Sequence, residues 1–93
     1  MRRRNSRESA LEAEAVIHRV DSVNRELAAL VEGVLVTIDV PPGCEVVLRG
    51  ERVKLRMIQP RDHIRVTYTE FADPLIARAI EVQPGHPPAS LSQ

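Results

Sequence analysis

The side chains best suited to metal or nucleophilic chemistry in this 93-residue chain are three histidines and one cysteine. Their spacing keeps them apart. His18 falls in an expected helix, His63 at the start of an expected strand, and His86 in a Pro-rich end. Cys44 reads as inward-facing and His63 as outward-facing. A buried thiol and an exposed imidazole are therefore expected, not a catalytic pair. There is no Gly-rich phosphate loop, no Cys-x-x-Cys and no His-x-x-x-His. Asp62 fits a turn. These absences point away from an enzyme, and neither a metal nor a cofactor is expected.

Charge is the more informative signal. The formal net charge is zero, so no global field steers the chain toward nucleic acid. Locally the charge is sorted: Arg2, Arg3, Arg4 and Arg7 crowd the start. Further along, Arg49, Arg52, Lys54, Arg56 and Arg65 share the outward parity of three expected strands. In that register Arg49 faces Arg52, Val47 faces Lys54, and Glu45 faces Arg56 with Arg65 beyond. Like charges directly opposite repel. The row is either a solvated surface, with Glu45 bridging Arg56 and Arg65, or a face that binds an anion. No aromatic lies on it for a base to stack upon, so nucleic-acid binding there would be backbone-driven and salt-sensitive.

Four segments position these residues. Residues 1–8 read as a flexible basic arm. Residues 9–32 read as one amphipathic helix without Gly or Pro, with Ser9 as N-cap, Glu12 completing a capping box and Gly33 as the stop. Its apolar positions, Ala13, Val16, Val20, Val23, Leu27, Leu30 and Val34, alternate steps of three and four, the pattern of a coiled coil. Val16, Val20, Val23, Leu27 and Leu30 then form a helix interface, used either for self-association or for docking on the chain's own barrel. Residues 33–82 read as strands, and 83–93 as a disordered Pro-rich tail.

From Val34 the period becomes two. Strands are expected over Val34–Val40, Cys44–Arg49, Arg52–Ile58, His63–Glu70 and Leu75–Val82. A Gly50-Glu51 loop would close one hairpin. Pro60 at the second position of Gln59–Asp62 marks a turn. This register puts Val46, Leu48, Val53, Leu55, Met57, Ile64, Val66 and Tyr68 inside. In the last strand Arg78 falls on the apolar parity, which calls for a bulge there. Leu75, Ala77 and Ala79 would then join Leu35 in an outer patch for the helix. The fold class expected is α+β, mainly β: a helix followed by a five-stranded antiparallel small barrel of the OB or SH3 type.

The run Ile38-Asp39, Val46-Val47-Leu48-Arg49-Gly50, Val53-Lys54-Leu55, Pro60-Arg61-Asp62, Ile64-Arg65-Val66-Thr67-Tyr68 and Ala77–Val82 resembles a small OB-like barrel domain of unknown function, widespread in bacterial proteins. The resemblance covers about residues 33–82 and rests on turns and core alternation, so it implies a fold and no activity. Members usually read Pro-Gly-Asp where this chain has Pro60-Arg61-Asp62. They are often found outside the cytoplasm.

The expected function is a non-enzymatic oligomerisation or interaction module. Its helix would assemble protomers or dock a protein partner, and its barrel would present a binding face. The alternative is a nucleic-acid-binding barrel using the basic face and the Arg-rich arm. A single cysteine, a start without an apolar stretch and no apolar run of membrane-spanning length lead to a cytoplasmic expectation and to none of membrane insertion.

Overall fold

Residues 11–31 form a β-hairpin where the spacing of three and four predicts a helix. In the computed structural model, which describes residues 10–83, the elements are β1 (Leu11–Asp21), β2 (Glu26–Val31), β3 (Val34–Asp39), β4 (Glu45–Leu48), β5 (Glu51–Arg52), a 3-10 turn (Leu55–Met57), β6 (His63–Tyr68), β7 (Leu75–Ile76) and β8 (Ala79–Val82). The expected basic arm, and all of the expected tail after Gln83, lie outside the described residues. Gln83 itself is tied down, its N–H donating to the His63 carbonyl at 2.8 Å.

The helical spacing has a physical origin in the hairpin. Leu27, Ala29 and Val31 point inward from β2 with period two, and Ala15 and Ile17 do so from β1. Between Ile17 and Arg19 the β1–β2 register slips. His18 is the extra residue of a β-bulge, and it turns the next inward step, to Val20, into a step of three. Ala13 and Val34 share the inward parity at the end of the barrel, whereas Val16 and Leu30 face outward. Val16 lies opposite Leu30, and Leu30 opposite Leu35. Thus Leu27 is 1% exposed, Leu30 39%, and Val23, at the hairpin tip, 88%. These residues occupy two faces and a turn, and no coiled-coil seam exists.

Turns fix the register. Asp21 closes the first hairpin by accepting from the Asn24 N–H at 3.0 Å and from its side-chain amide at 2.9 Å. β2 and β3 are joined by Glu32-Gly33, with φ of 52° and 82°, both positive as a type I′ turn requires. Arg49-Gly50 repeats that geometry at 56° and 82°. Gly33 is therefore a hairpin residue and not a helix stop. The β4–β5 loop sits one residue earlier than the sequence suggests, so Val47 faces Arg52 and Leu48 faces Glu51.

The expected strand Arg52–Ile58 ends at its first residue, since β5 is only Glu51–Arg52. A 3-10 turn takes over, and because side chains three apart then share a side, Leu55 and Ile58 are both buried. Met57, expected inside, is 55% exposed. The next turn is as expected: Asp62 N–H donates to the Gln59 carbonyl at 3.0 Å, and Asp62 Oδ2 accepts from the Gln59 N–H at 2.9 Å. Arg61 has φ of 79°, the left-handed third position of a type II turn that favours Gly.

The sheet order is β5-β4-β8-β6-β1-β2-β3-β7. The β3–β7 and β4–β8 pairs are parallel, so the sheet is mixed rather than antiparallel throughout. β6 pairs with β1 and β8, not with the segment before it. β7 and β8 are consecutive, and the link between them is gripped on both sides. Ala77 N–H donates to the Asp39 carbonyl of β3 at 2.9 Å, and Arg78 N–H to the Thr67 carbonyl of β6 at 2.7 Å. That link carries the β3 end of the sheet to β6 and β8 and rolls the sheet into a small barrel. The barrel thus starts at Leu11 and not at residue 33. The inward parity switches at Arg78, from Leu75 and Ala77 to Ile80 and Val82, all buried. Leu75 and Ala77 belong to the core, not to an outer patch.

The core is aliphatic, with Ile17, Leu27, Ile38, Ile64, Val66 and Ile80 fully buried and Tyr68 its one aromatic. Each such side chain contributes about 1.5–3 kcal/mol on burial. No helix among the described residues is long and apolar enough to cross a membrane.

Candidate binding surface at the mouth of the barrel

The barrel separates the five cations that the sequence groups on one face. Arg49 lies in the β4–β5 turn, Lys54 just before the 3-10 turn and Arg56 within it, all exposed. Arg52, on β5, donates to Glu45 Oε2 through Nη2 at 2.6 Å and Nε at 3.0 Å. Arg65, on β6, sits between Glu14 of β1 at 3.6 Å and Glu81 of β8 at 3.5 Å. The outward row across β5, β4, β8, β6 and β1 therefore reads Arg52, Val47, Glu81, Arg65, Glu14. Opposite signs meet where like signs are expected. Exposed pairs of this kind contribute about 0.2–1 kcal/mol each, enough to remove the repulsion.

A different site emerges where β1 begins, the β2–β3 hairpin turns and β6 ends. A hollow of about 660 Å³ opens there. Ala13, Val31, Val34, Tyr68 and Phe71 supply its apolar lining, and Glu12, Glu14 and Glu32 are the charged residues in its wall. Local folding explains each contribution. The Glu32-Gly33 turn holds Val31 opposite Val34, and β6 pairs Tyr68 with Leu11. Phe71 follows β6 in an irregular stretch, and its ring meets Tyr68 edge-to-face, with centroids 6.0 Å apart and planes at 81°. Tyr68 is buried, yet Phe71 is 56% exposed. The only two aromatics of the chain thus meet at this hollow, where a quadrupolar pair favours a large apolar or cationic guest. Within residues 10–83 no ion pair involves Glu12 or Glu32.

A smaller hollow of about 260 Å³ lies between the β4–β5 hairpin and the Gln59–Asp62 turn, lined in part by Arg49, Met57, Asp62 and Gln83. Gln83 Nε2 is buried without a hydrogen-bond partner among the described residues.

Two groups carry shifted acidities. The hydrogen bonds from Asn24 hold the Asp21 carboxyl below the usual carboxylate range. Burial pushes the Cys44 thiol up, against a weaker opposing pull from Arg25. Arg25 donates instead to backbone, from Nε to the Val40 carbonyl at 2.8 Å. Cys44 is a half-buried, protonated thiol rather than an activated one. No three His, Cys, Asp or Glu side chains gather as a metal would require among the described residues.

Tyr68 is inward as its parity predicts, but the mouth is not legible in the sequence, because Glu12, Ala13, Glu14 and Val31 sit in the segment whose spacing imitates a helix. The available signal was the pair of X-Gly dipeptides, Glu32-Gly33 and Arg49-Gly50, which share one hairpin geometry.

No known protein family matches the chain, and no curated protein matches it. Solved structures do. It is similar to the crystal structure of Ag(I)CusF, with a TM-score of 0.60 and 11% identity, over 78% of this chain and 96% of that one. It is also similar to a Cu(II)-bound variant of Escherichia coli CusF, with a TM-score of 0.59, and to Escherichia coli apo-CusF, with a TM-score of 0.56. Both again show 11% identity over 78% of this chain, and cover 90% and 86% of theirs. At that identity the likeness is one of fold, a small OB-like barrel. The silver and copper belong to those proteins.

Proposed function

We propose that this chain is a non-enzymatic binding module that seats part of a protein partner in the mouth of its barrel. The observation that supports this reading most is the 660 Å³ hollow with the half-exposed Phe71 ring in its wall. A half-exposed ring beside a hollow whose lining is largely apolar is a ready anchor for an apolar group of a guest. The outward row Val16, Leu30 and Leu35 extends apolar surface along the adjoining strands.

The nucleic-acid alternative has less support. Arg52 and Arg65 are engaged by Glu45, Glu14 and Glu81, and both aromatics sit among acids that repel phosphate. Catalysis lacks support for a plainer reason. The shifted groups, Asp21 and Cys44, lie apart from the mouth, in the β1–β2 hairpin and just before β4.

A neutral apolar dye, N-phenyl-1-naphthylamine, tests the reading. Its fluorescence should rise saturably with the full chain. Phe71→Ala should lower the dye's affinity about tenfold, the loss of one aromatic contact of roughly 1–1.5 kcal/mol. Lys54→Ala and Arg56→Ala should leave it unchanged. An unaltered signal in Phe71→Ala overturns the assignment of the mouth.

A further inference from the structure

The first half of β3 has a free edge. β2 pairs with the whole of Val34–Asp39, but β7 meets β3 only at Ile38 and Asp39. The direction of the unpaired groups follows from the ladder. The Asp39 carbonyl faces the β7 side, because it accepts from the Ala77 N–H. Alternate residues of a strand turn their backbone groups to the same side, so Leu35 and Thr37 aim N–H and C=O toward that edge. No strand among residues 10–83 pairs with them there.

This edge borders the mouth. Val34 lines the hollow, and Phe71 begins the stretch that leads to Leu75, the partner of Ile38. An open strand edge is a template for another strand, and peptide recognition by strand addition uses such an edge together with a pocket for alternate side chains. The wall of the hollow adds a sign. Among the described residues, Glu12, Glu14 and Glu32 are its only charged ones, and of these only Glu14 has a cation beside it there, Arg65.

Resting on the mouth as the binding seat, we infer that its guest is an extended peptide segment that adds to β3 as a strand and alternates apolar with basic residues. Main-chain hydrogen bonds to Leu35 and Thr37 hold the segment. Its apolar side chains meet Val34, Tyr68 and Phe71, while its Arg or Lys side chains reach Glu12 and Glu32. An acidic segment of the same shape meets like charge and is rejected.

Three labelled heptapeptides test this against the full chain by fluorescence anisotropy at low salt: alternating Leu/Arg, alternating Leu/Ser and alternating Leu/Glu. The Leu/Arg peptide should bind about tenfold more tightly than Leu/Ser, the scale of two partly desolvated charge pairs, and Leu/Glu should bind weakest. Glu12→Gln with Glu32→Gln should erase the Leu/Arg advantage and leave Leu/Ser unmoved. Leu35→Pro should weaken all three peptides, because it removes an edge donor at a place where proline is tolerated, whereas Leu35→Thr should not. If Leu35→Pro lowers the melting temperature sharply, N-methylation of alternate peptide amides replaces it and should abolish binding in one of the two registers. Equal binding of Leu/Arg and Leu/Ser overturns the basic guest and leaves the mouth standing. Full binding by Leu35→Pro, or by both N-methylated peptides, overturns strand addition. Failure of every peptide overturns the mouth as a peptide seat altogether.

Discussion

Arg61→Gly should stabilise the protein. Arg61 holds φ of 79° at the third position of the Gln59–Asp62 turn, a conformation that costs an L-residue about 1–2 kcal/mol. Glycine adopts it freely but loses more freedom on folding, which offsets about 0.5–1 kcal/mol. The turn's own bonds survive the change, because they are main-chain. Arg61 N–H donates to the Ile17 carbonyl at 2.7 Å, Ile17 N–H to the Asp62 carbonyl at 2.8 Å, and Asp62 N–H to the Gln59 carbonyl at 3.0 Å. A net gain of about 0.5–1 kcal/mol remains, or roughly 2–8 °C in melting temperature for a domain of this size. Urea denaturation and thermal melts followed by circular dichroism would read it. Arg61→Val should do the opposite, since a β-branched residue is least at home at positive φ. A lower midpoint for Arg61→Gly, with Arg61→Val no worse than wild type, would refute the backbone assignment of this turn.

Other outcomes follow from the same structure. Leu27→Ala should cost about 2–5 kcal/mol as a core truncation and Leu30→Ala under about 1 kcal/mol as a surface change; equal costs by urea denaturation would restore a shared helical face. The Asp21 carboxyl should titrate below an ordinary aspartate by NMR and return toward it in Asn24→Ala. Because its folded pKa is depressed, the stability it contributes is present above the unfolded value and is lost as pH falls through the folded one. The Cys44 thiol, raised by burial, should react with a disulfide reagent more slowly than a free cysteine at neutral pH and catch up on unfolding; a faster rate would contradict its burial.

What the sequence made legible, and what it hid, divides along physical lines. Where a strand keeps strict alternation against one core, as at Val36, Ile38 and Val40 or at Ile64, Val66 and Tyr68, the inward set was readable and is buried. The Pro60 turn and the break at Arg78 were readable because each breaks a pattern locally. Leu55 is buried as expected, but from a 3-10 turn that no alternation announces. The first hairpin was hidden by two coincidences. The His18 bulge converts a step of two into a step of three, and Val16 and Leu30 are apolar residues on the outward face. Together they counterfeit a heptad. The β-branched residues Val16, Ile17, Val20 and Val23, and the Asp21–Asn24 turn signal, are the features that favour strands. The mouth was lost with that hairpin, since half its wall comes from β1 and β2. The cross-strand repulsion expected among Arg49, Arg52, Lys54, Arg56 and Arg65 vanished with the register that implied it.

The most direct test of the account is a residue-resolved one: two-dimensional amide NMR of the full chain during titration with the alternating Leu/Arg heptapeptide. Shift changes should gather at Glu12–Glu14, Val31–Thr37 and Tyr68–Phe71, and saturate together. Changes centred on Arg49, Arg52, Lys54 and Arg56, or a spectrum that does not move, would contradict the mouth as the binding site.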